Sequence, residues 1–141
     1  MRYLLDTNVV CEWAKPRPEP KVVAWFDAVD EDEVFLSVIS FAELRRGVEL
    51  LPAGQRREDL ATWIAGDLSE RFHGRVLDVD RHAAETWGRV MARGQRSGRS
   101  LTAMDGFFAA TAESRDLTLV TRNVKDFEGL GVAILDPWQE P

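Results

Sequence analysis

Three carboxylates stand near points where predicted strands give way to helices, and together they could do chemistry. Asp6 ends the first predicted strand, Glu43 lies just past the second, and Asp105 stands near the start of a later helix. A polar cluster after the fourth strand contains Thr121-Arg122-Asn123 and Asp126. Clustered carboxylates repel each other, and a divalent cation relieves that repulsion. Oxygen ligands suit Mg²⁺ or Mn²⁺ and not zinc, so these residues indicate a hard-metal site.

Each carboxylate also has a structural interpretation as part of a helix cap. Ser40-Phe41-Ala42-Glu43 has the spacing of a capping box, with Ile39 and Leu44 as the hydrophobic staple beside it. Thr102-Ala103-Met104-Asp105 has the same spacing, and Asp6 could cap the short helix that follows it. The two roles are compatible, because a carboxylate in the first helical turn lies at the positive end of the helix dipole.

Other catalytic schemes find little support in the sequence. It contains neither a G-x-S-x-G nucleophile elbow nor a G-x-x-x-x-G-K-[ST] phosphate loop. His73 and His82 are isolated, and Cys11 is interpreted as a packed thiol. A phosphatase with an aspartyl nucleophile would need a second acid two residues after Asp6, where the chain has Asn8.

One basic strip interrupts an acidic chain. Lys and Arg number 18 and Asp and Glu number 24, which gives a formal net charge of −6. That balance argues against a protein that coats nucleic acid by bulk charge. From Thr86 to Met104, however, there is no acidic residue, and this window contains Arg89, Arg93, Arg96 and Arg99. The strip is either a solvated helix face or a set of phosphate contacts.

The elements that must position these residues alternate between strand and helix. Apolar runs predict strands at 2–5, 34–38, 76–79, 117–120 and 132–135. Helical spacing predicts a short helix from Val9 and longer ones at 21–29, 41–51, 55–72, 81–96 and 103–114. This alternation predicts an α/β fold with a mainly parallel sheet of about five strands. Ligands of such sheets bind beyond the carboxyl ends of the strands, where the acids lie.

Length and composition add expectations about organisation and compartment. The 141 residues are the size of one domain, and we expect a single domain over 1–141. No apolar run approaches the roughly 18 residues of a membrane-spanning helix, and the N-terminus does not resemble a signal peptide. The only cysteine is Cys11, which is typical of a protein of the reducing cytoplasm with no membrane partner.

Four blocks, in this order and spacing, resemble the PIN-domain ribonucleases of the VapC toxin type, in the FitB-like branch. The blocks are Leu4–Val9, Leu36–Gly47, Thr102–Gly106, and Thr121–Asn123 followed by Asp126-Phe127. Pro137-Trp138 also matches the FitB-like ending, so the resemblance extends from Met1 to about Trp138.

The resemblance implies a PIN-like three-layer fold and a metal-dependent endoribonuclease that is the toxin of a toxin–antitoxin pair. It implies a homodimer inhibited by a small cognate antitoxin, similar to VapB or FitA, that also binds promoter DNA. Asp6, Glu43 and Asp105 map onto the family's acidic site, and Asn123 stands where many relatives have a fourth acid. Mg²⁺ or Mn²⁺ would be held by Asp6 and Asp105.

The remaining roles follow from the same resemblance. Glu43 would orient the attacking water or complete the coordination, and Asn123 would be a direct or water-mediated ligand. Thr7, Thr121 and Asp126 are expected just behind these ligands. Two other functions stay open at this point: a non-catalytic protein-interaction module whose acids are only caps, and a DNA nuclease or phosphatase that uses the same metal site.

Overall fold

A computed structural model describes residues 1–139, and its centre is one parallel β-sheet. The strands are β1 (Tyr3–Leu5), β2 (Val34–Ser37), β3 (Val76–Leu77), β4 (Thr118–Val120) and β5 (Ile134–Leu135). They lie in the order β3-β2-β1-β4-β5, and every pairing is parallel. The α/β prediction is confirmed, and all five predicted strands form.

Helices connect the strands. They are α1 (Thr7–Trp13), α2 (Pro20–Ala28), α3 (Val38–Leu50), α4 (Gln55–Trp63), α5 (Ser69–Arg71), α6 (Arg81–Arg96), α7 (Ala103–Arg115) and α8 (Val124–Phe127). A π-helical segment, Ile64–Leu68, joins α4 to α5, so the helix predicted at 55–72 is nearly continuous. In residues 1–139, no helix is long and apolar enough to cross a membrane.

Two apolar cores lie on opposite faces of the sheet. Leu5 and Val120 belong to a core with residues of α1 to α4 and of the π-helical segment, whereas Leu4 and Leu119 belong to a core with residues of α6, α7 and α8. Successive strand residues point to opposite faces, so neighbouring leucines enter different cores. The result is the expected three-layer arrangement, in which both faces of the sheet are covered.

The capping box predicted at Ser40–Glu43 is wrong. Helix α3 begins at Val38, directly after β2, and its N-cap is Ser37, whose Oγ accepts a hydrogen bond from the Ile39 N–H at 3.0 Å. Ser40 is therefore inside the first turn, and Glu43 lies in the second. The sequence pattern begins this helix too late because the apolar run continues from the strand into the helix without a break.

Other boundaries differ for local reasons. Helix α1 starts at Thr7 and not at Val9, because the Asp6 carboxylate accepts a hydrogen bond from the Thr7 N–H and caps the helix there. That predicted cap is confirmed. Helix α8 is absent from the sequence prediction, since its four residues are too few to show a helical period. The acidic run at 30–33, which is typical of a solvated turn, forms a 3₁₀ turn over Glu31–Glu33.

Candidate active site

The topology gathers polar residues at the carboxyl ends of the three central strands. Strand β1 lies between β2 and β4. Asp6 therefore follows the middle strand, with Ser37 at the end of one neighbour and Thr121 just after the other. The expectation that these sites meet at one edge of the sheet is borne out for Asp6 and Thr121, which are hydrogen-bonded.

Asp6 is the most enclosed carboxylate of this group, with 5% of its surface exposed. Its Oδ1 accepts from the Thr7 N–H at 2.7 Å. Its Oδ2 accepts from the Thr121 hydroxyl at 2.7 Å and from the Asn8 amide at 3.3 Å. Asn8 also donates to the Thr121 oxygen at 3.3 Å, so both neighbours of Oδ2 are themselves linked.

The pKa of Asp6 is raised from 3.8 to about 6, mainly because burial disfavours the charged carboxylate. The hydrogen bonds from Thr121 and Thr7 lower the pKa, and the nearby charges of Asp105 and Glu43 raise it further. The charges of Asp105 and Glu43 therefore act on Asp6 and repel its charged form. A cation beside Asp6 would favour its charged form.

Glu43 reaches across from α3 to the start of α1. Its Oε1 accepts from the Thr7 hydroxyl at 2.6 Å, and that hydroxyl oxygen lies 3.0 Å from Ser40 Oγ. Because Thr7 uses its only hydroxyl hydrogen on Glu43, Ser40 must be the donor to Thr7. Ser40 is fully buried, so its function here is to hold Thr7, which in turn holds Glu43.

Asp105 lies in the first turn of α7, and the cap predicted at Thr102–Asp105 is confirmed. Thr102 Oγ1 accepts from the Asp105 N–H at 3.1 Å. The Trp87 indole on α6 donates to the Ala103 carbonyl at 3.0 Å, which ties this turn to α6. The close packing of α7 against the Trp87 indole requires a glycine at 106, since an added Cβ there would lie 2.9 Å from the indole nitrogen.

The pKa of Asp105 is raised, first by burial and then by the charges of Asp126 and Glu43, against a hydrogen bond with Thr102 that lowers it. Asp126 is therefore close to Asp105, and both line an open cleft of about 200 Å³. Asn123 is exposed, and its N–H donates to Thr121 Oγ1 at 3.0 Å. Its side chain makes no capping bond.

The donor set at this edge fits a hard divalent cation. Within residues 1–139, no three His, Cys, Asp or Glu side chains converge closely enough to form a metal centre by themselves. Mg²⁺ does not need such a cage, because it is usually held by one or two carboxylates and keeps several waters. Asp6 and Asp105, two carboxylates that repel each other, match that requirement.

Comparison with known proteins identifies the family. The PIN domain family matches residues 3–131 of the chain. The chain belongs to the PIN-domain family. It is 37% identical over 137 residues to toxin FitB of Neisseria gonorrhoeae, covering 97% of this chain and 99% of that protein. It is 38% identical over 136 residues to VapC ribonuclease Y4jK of Sinorhizobium fredii, covering 96% and 97%.

A solved structure confirms the fold of this PIN domain. The structure of FitAB bound to the IR36 DNA fragment matches with a TM-score of 0.91 at 35% identity, over 99% of this chain and 97% of that one. The match extends through all the elements that carry the acids. The prediction of a VapC-type, FitB-like PIN toxin is therefore confirmed at the level of the family.

The PIN fold separates the four arginines of the basic strip. Arg93 pairs with Glu113 at 2.6 Å, and Arg89 Nη2 donates to Thr86 Oγ1 at 3.3 Å. These two and Arg96 line a cleft along α6 of about 480 Å³, which also contains a carboxylate, Glu85. Arg99 instead lines the cleft beside Asp105. The acid-free window in sequence is thus not acid-free in space.

Two residues hold this site in ways that the sequence pattern does not predict. In the sequence, Asn8 only indicates that the second acid of an aspartyl phosphatase is missing. In the structure, its amide nitrogen donates to both Asp6 and Thr121, and its Oδ1 accepts from the Arg122 N–H at 3.3 Å. Ser40 has the spacing of a cap and instead holds Thr7. The available signal is the run Asp6-Thr7-Asn8, which places three polar side chains directly after a buried strand.

Proposed function

We propose that this PIN domain is a metal-dependent endoribonuclease and the toxin of a VapBC-type toxin–antitoxin pair. The observation that carries the proposal is Asp6, a buried carboxylate with a pKa of about 6 that lies beside Asp105 and Glu43 at the sheet edge. Such a group of like charges is unstable by itself, and a divalent cation relieves it. The relatives named as a toxin and as a ribonuclease supply the substrate class.

Asp6 and Asp105 would hold the Mg²⁺ or Mn²⁺ ion. When bound, such an ion polarises a phosphodiester and lowers the pKa of a bound water, which makes hydrolysis possible near neutral pH. Glu43 would orient that water through a carboxylate oxygen that Thr7 fixes. Thr121 and Asn8 hold Asp6 with its Oδ2 already bonded, so the carboxylate is oriented before any ion arrives.

Asn123 and Asp126 complete this proposed site on its exposed side. The Asn123 side chain is exposed and can offer an amide oxygen to the ion directly or through water. It contributes no charge, whereas relatives with an acid there would have one more. Asp126 lies in the same cleft as Asp105, and burial and the charge of Asp126 raise the pKa of Asp105.

The proposed partners follow from the same chemistry. An antitoxin would inhibit by placing a basic side chain among the acids, since paired charge-assisted hydrogen bonds satisfy a carboxylate well. The structure of FitAB bound to a DNA fragment supports a toxin–antitoxin complex that also binds DNA, which we propose is its own promoter. An RNA substrate and the lone Cys11 favour action in the reducing cytoplasm. The homodimer stays a prediction, which light scattering of the purified toxin would check.

The test compares Asp6→Asn and Asp105→Asn with Asp32→Asn, an exposed acid in the 3₁₀ turn. With saturating Mg²⁺, we expect the first two to lose RNA cleavage by about 10²-fold or more, and Asp32→Asn to keep it. Mg²⁺ should also raise the melting temperature of the wild type more than that of Asp6→Asn. Single-stranded DNA and a phosphomonoester serve as competing substrates.

Metal-dependent cleavage by Asp6→Asn at the wild-type rate would contradict this site. Preferential cleavage of DNA would indicate a DNA nuclease, and preferential cleavage of the phosphomonoester would indicate a phosphatase. Either result would contradict the proposed ribonuclease activity.

A further inference from the structure

The cleft beside Asp105 is lined by side chains of opposite charge that form no salt bridges with each other. The walls of this cleft contain the acids Asp105 and Asp126 and the bases Arg99 and Lys125, around a volume of about 200 Å³. Among residues 1–139, neither base forms a salt bridge with either acid. Arg93, by contrast, pairs with Glu113 between α6 and α7.

Arg99 is held in this cleft by the backbone and not by a carboxylate. The loop after α6 turns at Gly98, which has φ +76°, a conformation that favours glycine. Arg99 Nη1 then donates to the Lys125 carbonyl at 3.0 Å. The guanidinium lies against Gly129, where an added Cβ would stand 3.4 Å from Nη2. One nitrogen thus anchors the group, and Nε and Nη2 have no bonded partner in the described part of the chain.

We propose that Arg99 and Lys125 form a subsite for a backbone phosphate of the RNA, beside the phosphodiester that the acidic site cuts. The proposal rests on the proposed ribonuclease function. A guanidinium with two free donors binds a phosphate in a forked geometry, and an ammonium adds a point charge. The anchor to the Lys125 carbonyl keeps Arg99 in place before the substrate binds.

This subsite explains how a chain of net charge −6 holds a polyanion next to its own carboxylates. The metal ion would neutralise the carboxylates, and the neighbouring RNA phosphates would neutralise Arg99 and Lys125. The acids and the bases of the cleft therefore need no salt bridge with each other. It also divides the basic strip by function. Arg93 is already paired with Glu113, and Arg89 and Arg96 line the separate cleft along α6, so of the four arginines only Arg99 lies in the cleft around Asp105.

The binding experiment uses full-length protein with Asp6→Asn, so that the RNA stays intact. Fluorescence anisotropy with a labelled oligouridine is followed over about 50 to 200 mM salt. For the further change Arg99→Gln with Lys125→Gln, we expect affinity to fall about tenfold or more. The slope of log K against log salt should drop by about 0.7 for each phosphate that the two bases neutralise. The pair Arg17→Gln and Arg56→Gln, which removes the same charge at exposed positions, should leave both unchanged.

In the active protein, Arg99→Gln should raise KM several-fold while kcat changes little, and Arg99→Lys should recover part of the loss. If Arg99 only ties the loop to α8, kcat and the melting temperature will fall while the salt slope stays at the wild-type value. That result, or an equal loss of slope in the Arg17 and Arg56 pair, would overturn the subsite.

Failure of the two proposals can be told apart. A wild-type protein that cuts RNA, with a salt slope indifferent to Arg99 and Lys125, contradicts the subsite alone. A wild-type protein that binds RNA through these residues without cutting it contradicts the ribonuclease proposal and keeps the subsite.

Discussion

Two segments with the same spacing of hydroxyl and acid, Ser40–Glu43 and Thr102–Asp105, have different structures. At Thr102 the hydroxyl caps α7 through the Asp105 N–H. At Ser40 the hydroxyl is buried within α3 and bonds Thr7, while Ser37 caps the helix. The capping pattern therefore predicts a helix start only where a loop precedes it. Where a strand leads directly into a helix, as β2 leads into α3, the helix begins at the residue after the strand ends.

The difference also gives the two acids different surroundings. Glu43 is held by a hydrogen bond from Thr7, itself held by buried Ser40, so its position is determined by the protein. Asp105 has its backbone fixed by Thr102 and by the Trp87 bond to Ala103, and its carboxylate faces the open cleft. These surroundings agree with the proposed roles, in which Glu43 orients a water and Asp105 binds an ion that arrives from solvent.

The largest expected effect separates catalysis from structure at Glu43. In Glu43→Gln, the amide oxygen still accepts from Thr7, so the free energy of unfolding should change by well under the ~1 kcal/mol of a lost cap. RNA cleavage should fall about 10²-fold or more, the scale of a lost acid–base group. Steady-state kinetics and urea unfolding measure the two. Glu58→Gln on α4 is the control, and equal rates for both variants would show that Glu43 is only structural.

A second effect concerns Asp6, whose pKa is raised by burial and by the charges of Asp105 and Glu43 in the two segments. Its pKa is raised from 3.8 to about 6, so the folded state binds the proton more tightly than the unfolded state does. Without metal, stability should therefore fall as the pH rises from about 4 to above 6, by about 3 kcal/mol at most. Unfolding of Asp6→Asn in the same buffers should lack this loss. A wild type whose stability rises over that range relative to Asp6→Asn would contradict the raised pKa.

The smallest effect tests the two helix starts directly. Ser37→Ala and Thr102→Ala should each lower the free energy of unfolding by about 1 kcal/mol, because each removes a helix cap. Ser40→Ala should cost less, since Thr7 keeps its bond to Glu43. Denaturant unfolding of the three variants gives the ranking. A larger loss at Ser40 than at Ser37 would place the start of α3 where the sequence pattern suggested.

Much of the fold is predictable because its signals are local. The apolar runs at Leu4-Leu5 and Leu119-Val120 predict strands, and the helix predicted at 81–96 has the same bounds in the structure. Local rules also place Asp6 and Asp105 correctly as a cap and a capped residue. Ser40 and the arginine strip escape such rules, because their partners Thr7 and Glu113 lie in other elements.

The sequence by itself determined the alternating elements, the parallel sheet they require, and hence the edge at which the acids end. These follow from hydrophobic periodicity and from the direction of parallel strands, which nearby residues encode. Only the tertiary structure decided how the acids are held and which arginine faces them. The bond between Thr7 and Glu43 joins residues 36 apart, and that between Thr121 and Asp6 joins residues 115 apart. Such bonds depend on where packing brings distant side chains together, and no local pattern encodes that.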